Sequence, residues 1–264
     1  LDKRVSEEVD SAKNTKVKAG NYHKHLLAGN PHHEAVIRYA ASCRLWNTQQ
    51  TIPWSDSGPR IVTMENLFNG GYKKQLDDRK VEFERLTDVF MGVYPTLISA
   101  AAFQLGDLFN REEYPEPEAV AKKFRFNYTL TPIPTAGDFR IDIGEQAKAE
   151  LVAQYETAFN ERLNHAMRDV WQRLYECLTH MSERLASDDE GKRKVFHGTI
   201  LTNARELINL LSRLNITNDP KLEEARRDLS AALVNTDIDT LKESDYIREN
   251  VKAKVDDILK RFEW

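Results

Sequence analysis

Residues 145–186 read EQAKAELVAQYETAFNERLNHAMRDVWQRLYECLTHMSERLA and carry the strongest periodic pattern of the chain. Apolar side chains return along it every third or fourth position, which is the spacing of one face of an α-helix. They are Leu151, Tyr155, Phe159, Leu163, Ala166, Val170, Leu174, Leu178, Met181 and Leu185. At about 1.5 Å per residue, such a helix is roughly 60 Å long. The pattern therefore predicts a long helical rod.

A second rod is predicted over residues 64–110, with Gly70-Gly71 marking a break or kink near its start. Its apolar residues include a set spaced strictly by seven, the heptad spacing of a coiled-coil seam. That set is Leu76, Phe83, Phe90 and Leu97. Pro95 is expected to bend this helix locally. Because two long amphipathic helices can cover each other, we predict a long antiparallel helical hairpin, a coiled-coil-like stalk.

The segment between the rods changes its pattern. Phe124, Phe126, Tyr128 and Leu130 alternate with polar residues, and Phe139, Ile141 and Ile143 do so again after the turn sequence TPIPTAGD. A period of two is typical of a half-buried strand. The sequence therefore predicts a small β-hairpin over residues 124–143, at the tip of the stalk.

The flanking segments predict a helical base. Asn30-Pro31 starts a helix that runs to about Asn47, because Asn is a good N-cap and Pro suits the first helical position. The loop TIPWSDSGPRIVT follows, and Trp54 is expected to pin it to the body of the protein. Three amphipathic helices near 192–214, 220–235 and 244–262 are expected to pack with the first helix.

The predicted fold is thus mainly α-helical: a stalk, a β-hairpin tip and a base. The predicted segments are a polar, basic and poorly ordered arm (1–29), the first helix and its Pro/Gly loop (30–63), a stalk helix (64–110), the tip (111–144), the second stalk helix (145–187) and the C-terminal helices (188–264).

Composition limits the classes of function. The chain has 264 residues and a net charge of -4, which argues against a protein that coats DNA generally. Its two cysteines, Cys43 and Cys177, cannot build a zinc or disulfide framework, so a reducing, cytoplasmic setting is expected. We expect no signal peptide and no membrane span, on the reading that no apolar stretch approaches the roughly 20 residues required. The chain opens on Leu1 without an initiator Met, as a trimmed fragment would.

Residues 23–34, HKHLLAGNPHHE, raise the question of a metal site. The candidate ligands are His23, His25, His32 and His33. Imidazoles bind zinc well, but ligands on a helix must lie three or four positions apart to share a face. The two histidines at the helix start are adjacent, and the second His of an H-E-x-x-H motif is absent. The spacing favours a solvated helix entrance over a metal site, and no cofactor is predicted.

The predicted hairpin carries the candidate interaction residues on its polar face: Arg125, Asn127, Asp138, Arg140 and Asp142. Acidic residues on such strands can also hold the metals of a nuclease. Arg140 lies between the two aspartates, which favours an ordinary cross-strand charge pair. We therefore predict a protein-binding surface and assign no catalytic residue.

The basic N-terminal arm, residues 1–29, suggests a different function, the binding of nucleic acid. Its candidate phosphate contacts are Lys13, Lys16, Lys18 and Lys24. These lysines are not interleaved with aromatic residues, as they are in proteins that bind single strands. A solvated surface is the simpler interpretation, and nucleic-acid binding is the alternative.

Several stretches, in order along nearly the whole chain, carry a family resemblance. The longest are NTQQTIPWSDSGPRIV, LFNREEYPEPEAVAKKFRF and AMRDVWQRLYECLTHMSERL. They resemble an uncharacterised family, a domain of unknown function, of tailed phages, prophages and integrative mobile elements. The resemblance implies genes near one for a MoxR-type AAA+ ATPase similar to a cobaltochelatase subunit, and near replication or recombination genes. No catalytic residues are attached to this family, and its members typically lack the histidines of HKH and HHE.

Together these observations predict a non-enzymatic helical interaction or scaffold protein of a phage or mobile element, in the bacterial cytoplasm. Its expected partner is a protein, an AAA+ ATPase or a host defence component, and long amphipathic rods favour a homo-oligomer. The alternative is a nucleic-acid-binding accessory in phage replication or recombination. A metal-dependent hydrolase or nuclease is the third possibility.

Overall fold

The computed structural model describes residues 3–17, 20–27, 29–55, 58–133, 145–188 and 191–262. Over these residues the protein is mainly helical, as the sequence predicts. The helices are α1 (Lys3–Ala12), α2 (Pro31–Gln50), α3 (Met64–Phe68), α4 (Tyr72–Leu105), α5 (Pro117–Ala121), α6 (Glu145–Leu185), α7 (Gly198–Leu214), α8 (Pro220–Ala232), α9 (Ile238–Glu243) and α10 (Asp245–Arg261). The small antiparallel sheet pairs β1 (Ile52–Pro53) with β2 (Arg60–Ile61), and 3₁₀ turns lie at Gly106–Leu108 and Arg111–Glu113.

Both predicted rods are helical, with 34 residues in α4 and 41 in α6. In the rod predicted over residues 64–110, the expected break at Gly70-Gly71 is present and separates α3 from α4. Gly71 has a φ of +68°, in the left-handed region that favours glycine. At Gly70 a Cβ would lie 2.2 Å from the side-chain oxygen of Asn66. Helix α4 continues through Pro95. The antiparallel pairing of the two rods stays a prediction.

The chain divides into two compact units. Unit 1 comprises Leu1–Arg44 and Leu76–Thr129, and unit 2 comprises Leu45–Gln75 and Leu130–Trp264. Each unit has its own apolar cluster. The boundaries pass through α2 and α4, so neither helix belongs to one unit alone.

The core of unit 1 joins α2, α4 and α5. Its buried members are Val36, Phe83, Phe90, Tyr94 and Val120. The heptad-spaced phenylalanines of α4 are therefore covered here by α2 and by the residues that follow α5. The apolar face of α2 is therefore used inside unit 1. The last residues of α2, from Leu45 onward, belong to unit 2 with the C-terminal helices.

The N-terminal arm also differs from the expectation of a solvated segment. Residues Lys3–Ala12 form α1, in which Ser6 is buried. The backbone N–H of Tyr22 donates to the Ser6 hydroxyl at 2.9 Å, so the chain folds back on this helix. The arm is thus partly ordered by a contact that its polar composition does not reveal.

The core of unit 2 forms around the C-terminal half of α6. The predicted apolar residues from Ala166 to Leu185 are buried there, together with apolar faces of α7, α8 and α10. The last predicted helix, 244–262, is α10, and the short helix α9 precedes it where a turn was expected. Ser244 ends α9 and caps α10 by accepting from the Ile247 N–H. Helix α7 begins at Gly198, six residues later than predicted. In the chain before it, Arg193 forms an ion pair with Asp245 at 2.5 Å.

The Pro/Gly loop after α2 is held from two sides within unit 2. Trp54 contacts Phe159 edge-on at 5.3 Å, and the Arg162 guanidinium lies 5.9 Å from the centre of its indole ring, which confirms the expected pinning. Arg173 donates to the backbone oxygens of Thr48, Gln49 and Thr51 at 2.7–3.0 Å. These carbonyls are at the end of α2, where intrahelical donors run out.

Glu223 in the first turn of α8 makes the stability of unit 2 depend on pH. Hydrogen bonds from Arg226, at 2.6 and 2.8 Å, and from Arg227 hold the pKa of its carboxyl at about 2. An unfolded Glu titrates near pH ~4.3, so the carboxylate stabilises the fold above that pH and loses its effect as the pH falls toward 2.

We expect Glu223→Gln to lower the free energy of unfolding by less than about 1 kcal/mol at pH 7, as for other partly exposed ion pairs. The difference from the unaltered chain should shrink between about pH 4 and pH 2. Urea titrations at several pH values measure it. Glu249→Gln, on the exposed side of α10, controls for the loss of one surface charge. A difference that grows on acidification would contradict the assignment.

Candidate interaction site

The predicted first strand of the hairpin is an extended segment that follows α5. From Phe124 to Thr129 burial alternates, with Phe124, Phe126 and Tyr128 half-buried and the residues between them exposed. The period of two is therefore confirmed, but these residues form no strand in the described part of the chain. The second predicted strand, with Asp138, Arg140 and Asp142, lies outside the described residues.

Helix α4 positions this segment through the buried side of the alternation. Phe124 packs edge-on against Phe90 at 5.6 Å between ring centres, and Phe126 lies 5.8 Å from Phe83. The Tyr128 hydroxyl donates to the Asp77 carboxylate. The three contacts run backwards along α4, so the segment lies antiparallel to the helix and is held at every second residue.

The opposite side of the alternation faces solvent. Arg125 and Asn127 are exposed, and the Arg125 Nε donates to the Lys122 carbonyl at 2.9 Å. Together with Thr129, they make no backbone–backbone hydrogen bond to another described residue. In extended backbone, the N–H and C=O groups of alternate residues point to the same side. Arg125, Asn127 and Thr129 therefore form an open backbone edge, which we call the tip edge.

A groove lies between α4 and the segment that carries the tip edge. It encloses about 300 Å³ and is lined by residues of α4 and of the segment Ala121–Asn127. Phe83 and Phe124 provide apolar lining, while Lys80 and Glu84, 3.8 Å apart, contribute one charge of each sign. Such a surface can take an extended peptide by strand addition, in which backbone bonds give affinity and flanking side chains give selectivity.

The histidines do not converge in the described structure. His32 and His33 lie in the first turn of α2, where the Asn30 side chain accepts from the His33 N–H at 2.9 Å. This bond confirms Asn30 as the N-cap. The His33 ring packs 5.4 Å from that of Phe90, and His23 and His25 are exposed. Among the described residues, no group of three or more His, Cys, Asp or Glu side chains is placed to hold a metal ion.

The basic arm loses one of its four candidate lysines to an internal contact. The Lys24 ammonium lies 2.5 Å from the Glu113 carboxylate and donates to the Leu108 carbonyl at 2.8 Å, with only 6% of its side chain exposed. It therefore attaches the arm to the turns after α4 and is not available to phosphate. Lys13 and Lys16 are exposed, and Lys18 lies outside the described residues.

The cysteines do not form a reactive pair. Both are free, and Cys43 is buried. Burial raises the pKa of the Cys177 thiol to about 11, so it stays protonated at neutral pH and is a poor nucleophile. Cys177 lies on the packing side of the long helix α6, against the apolar cluster of unit 2.

The sequence reading missed one feature of α4. Residues Tyr72–Leu108 are long and apolar enough to cross a membrane by length and composition, with a mean hydropathy of 1.4 over the best 18-residue window, of which 17% is buried. The expectation that no such stretch exists was therefore wrong. The signal is visible in the sequence, because Val89–Gly106 contains no charged residue. Phe90, Tyr94 and Ala101 on this stretch are buried.

The protein is thus mainly helical, and its candidate functional feature is the tip edge, an extended backbone segment beside a groove. No protein-family model, curated protein or solved structure matches the chain.

Proposed function

We propose that the protein is a non-enzymatic interaction or scaffold protein of a phage or mobile element, which binds a protein partner in the cytoplasm of its bacterial host. The observation that supports this proposal is the tip edge: Arg125, Asn127 and Thr129 present extended backbone that the described chain does not pair. Unpaired strand edges are templates for another chain. The family resemblance suggests an AAA+ ATPase or a host defence component as the partner.

The long helices are the basis of a second part of the proposal, which concerns the stalk and self-association. Helices α4 and α6 would be the two antiparallel arms of a coiled-coil-like stalk, and association of such rods would make the protein a homo-oligomer. Nucleic-acid binding remains the alternative, with Lys13 and Lys16 as its exposed lysines. No contact in the described residues favours it, and the ion pair of Lys24 counts against it.

Asn127→Pro is expected to reduce partner capture from host cells by about tenfold or more. Proline removes the central N–H of the tip edge, and a lost bond in a desolvated strand pairing costs on the order of 1–3 kcal/mol. Tagged chains are purified from host cells, and each captured protein is quantified by mass spectrometry.

Asn127→Ala is the matched control, because it removes the same side chain and keeps the backbone donor. It should retain capture within about threefold, as for a contact of less than 1 kcal/mol. Circular dichroism of both variants confirms that the helices remain folded. If both variants capture the partner as well as the unaltered chain does, the tip edge is not the binding surface and the proposal fails.

A further inference from the structure

The second half of α4 presents an exposed face without charges. From Gly92 to Phe103 the exposed positions are Gly92, Pro95, Thr96, Ser99, Ala100, Ala102 and Phe103. At 100° per residue, Gly92, Thr96, Ser99 and Phe103 lie within about 60° of one another on the helix. Phe103 is 92% exposed and projects from a surface of small side chains. We call these seven residues the apolar face of α4.

The first half of the same helix is a control for this composition. Its exposed positions include Lys74, Asp78, Glu84, Arg85 and Asp88, as expected for a helix that faces water. The composition changes after Asp88 although exposure does not. A solvated helix face has no need of this change, so the apolar face of α4 has the composition of a surface that another molecule covers.

The charges at its ends indicate which molecule. Asp88 precedes the face on α4, and Asp107 follows it in the 3₁₀ turn Gly106–Leu108. Both are exposed, and a rise of about 1.5 Å per residue places them roughly 28 Å apart. The nearest arginines along the chain, Arg85 and Arg111, are held in ion pairs by Glu82 at 2.7 Å and Glu116 at 2.8 Å. Each end of the face therefore has one exposed aspartate, and the nearest arginine at that end already pairs with a glutamate.

We propose that the apolar face of α4 binds an amphipathic helix of a partner protein, one whose apolar stripe ends in Lys or Arg at both sides. Small residues allow close approach of a helix, and Phe103 supplies an aromatic anchor. Basic ends complement Asp88 and Asp107, whereas a second copy of this chain would bring acid against acid in either orientation. An anionic lipid surface is disfavoured for the same reason. This surface is distinct from the tip edge and does not depend on it.

The test uses the full chain and two synthetic helical peptides of about 22 residues, long enough to span the two acids. Both carry an Ala/Leu stripe; one has two lysines at each end and the other has two glutamates. Isothermal titration calorimetry at low salt should show the lysine-ended peptide binding at least about tenfold more tightly, and this preference should fall as salt rises.

Three variants sharpen the measurement. Phe103→Ala should lower the affinity for the lysine-ended peptide by about tenfold, as removal of an aromatic anchor does. Val81→Ala, which truncates an exposed residue in the charged half of α4, should leave binding unchanged. Asp88→Asn combined with Asp107→Asn should abolish the preference between the two peptides.

Four outcomes would overturn the proposal. Equal affinity for both peptides would show that Asp88 and Asp107 do not select basic ends. Equal effects of Phe103→Ala and Val81→Ala would show that Phe103 is not an anchor. Sedimentation of a dimer that Ala100→Lys dissociates would identify a second copy as the occupant. Flotation with phosphatidylglycerol vesicles that Phe103→Ala abolishes would identify lipid. Asn127→Pro should bind the lysine-ended peptide normally, so failure here is distinguishable from failure of the tip edge.

Discussion

Arg248→Met is expected to lower the free energy of unfolding by about 3–5 kcal/mol, because it leaves three backbone carbonyls, in one buried and two partly buried hydrogen bonds, without a donor. Arg248 lies on α10 and is only 4% exposed. Its guanidinium donates to the backbone oxygens of Leu185 at 2.9 Å, Arg184 at 2.6 Å and Lys194 at 2.8 Å. Leu185 ends α6, where the last carbonyls have no intrahelical partner.

The loss is measured by urea denaturation followed by circular dichroism. Arg227→Met is the matched control, because Arg227 is also a helical arginine but its side chain is 72% exposed and pairs with Glu223. It should cost less than about 1 kcal/mol. Arg248→Lys should recover only part of the loss, since a single ammonium lacks the planar fork that reaches three carbonyls. If Arg248→Met costs no more than Arg227→Met, the buried guanidinium does not cap α6.

Phe90→Ala is expected to cost about 3–5 kcal/mol in unit 1, the range for truncating a buried aromatic residue. Phe90 is fully buried, and its ring contacts those of His33, Tyr94 and Phe124 at 5.4–5.8 Å. The cost combines the lost burial of the ring with the cavity that it leaves. The contact with Phe124 also holds the extended segment on α4, so the variant should loosen the tip edge.

Two measurements separate these effects. Urea denaturation gives the stability, and limited trypsin digestion at Lys122, Lys123 and Arg125 reports on the segment. Cleavage at these sites should accelerate at urea concentrations where the helices are still intact. Val81→Ala on the exposed side of α4 should change neither quantity. Unchanged cleavage in Phe90→Ala would show that α4 does not hold the segment through this ring.

The sequence reads well where structure depends on neighbours along the chain. The periodicity of α6, the cap at Asn30 and the break at Gly70-Gly71 are local, and all three are present in the structure. The alternation from Phe124 to Thr129 is also local, and it predicts extended backbone with one buried side. It does not determine whether that backbone pairs, because pairing requires a second segment.

The candidate site follows the same division. Arg125 and Asn127 could be selected from the alternation alone, and the apolar face of α4 is visible as an uncharged run. Asp138, Arg140 and Asp142 rested on a strand that lies outside the described residues. The ion pair of Lys24 could not be predicted, because its partner Glu113 is distant in the sequence, so by sequence alone Lys24 remains a candidate of the alternative nucleic-acid surface.

The longer helices, most of their starts and the residues that face inward can be predicted from the sequence alone, since these follow from spacings of two to seven residues. Which helix covers which is visible in the tertiary contacts and not in these spacings: α2 lies with α4, and the C-terminal half of α6 lies with α7, α8 and α10. The buried Arg248 joins carbonyls up to 64 residues away. Apolar faces carry little information about their partners, because hydrophobic burial is non-directional and many pairings would satisfy it.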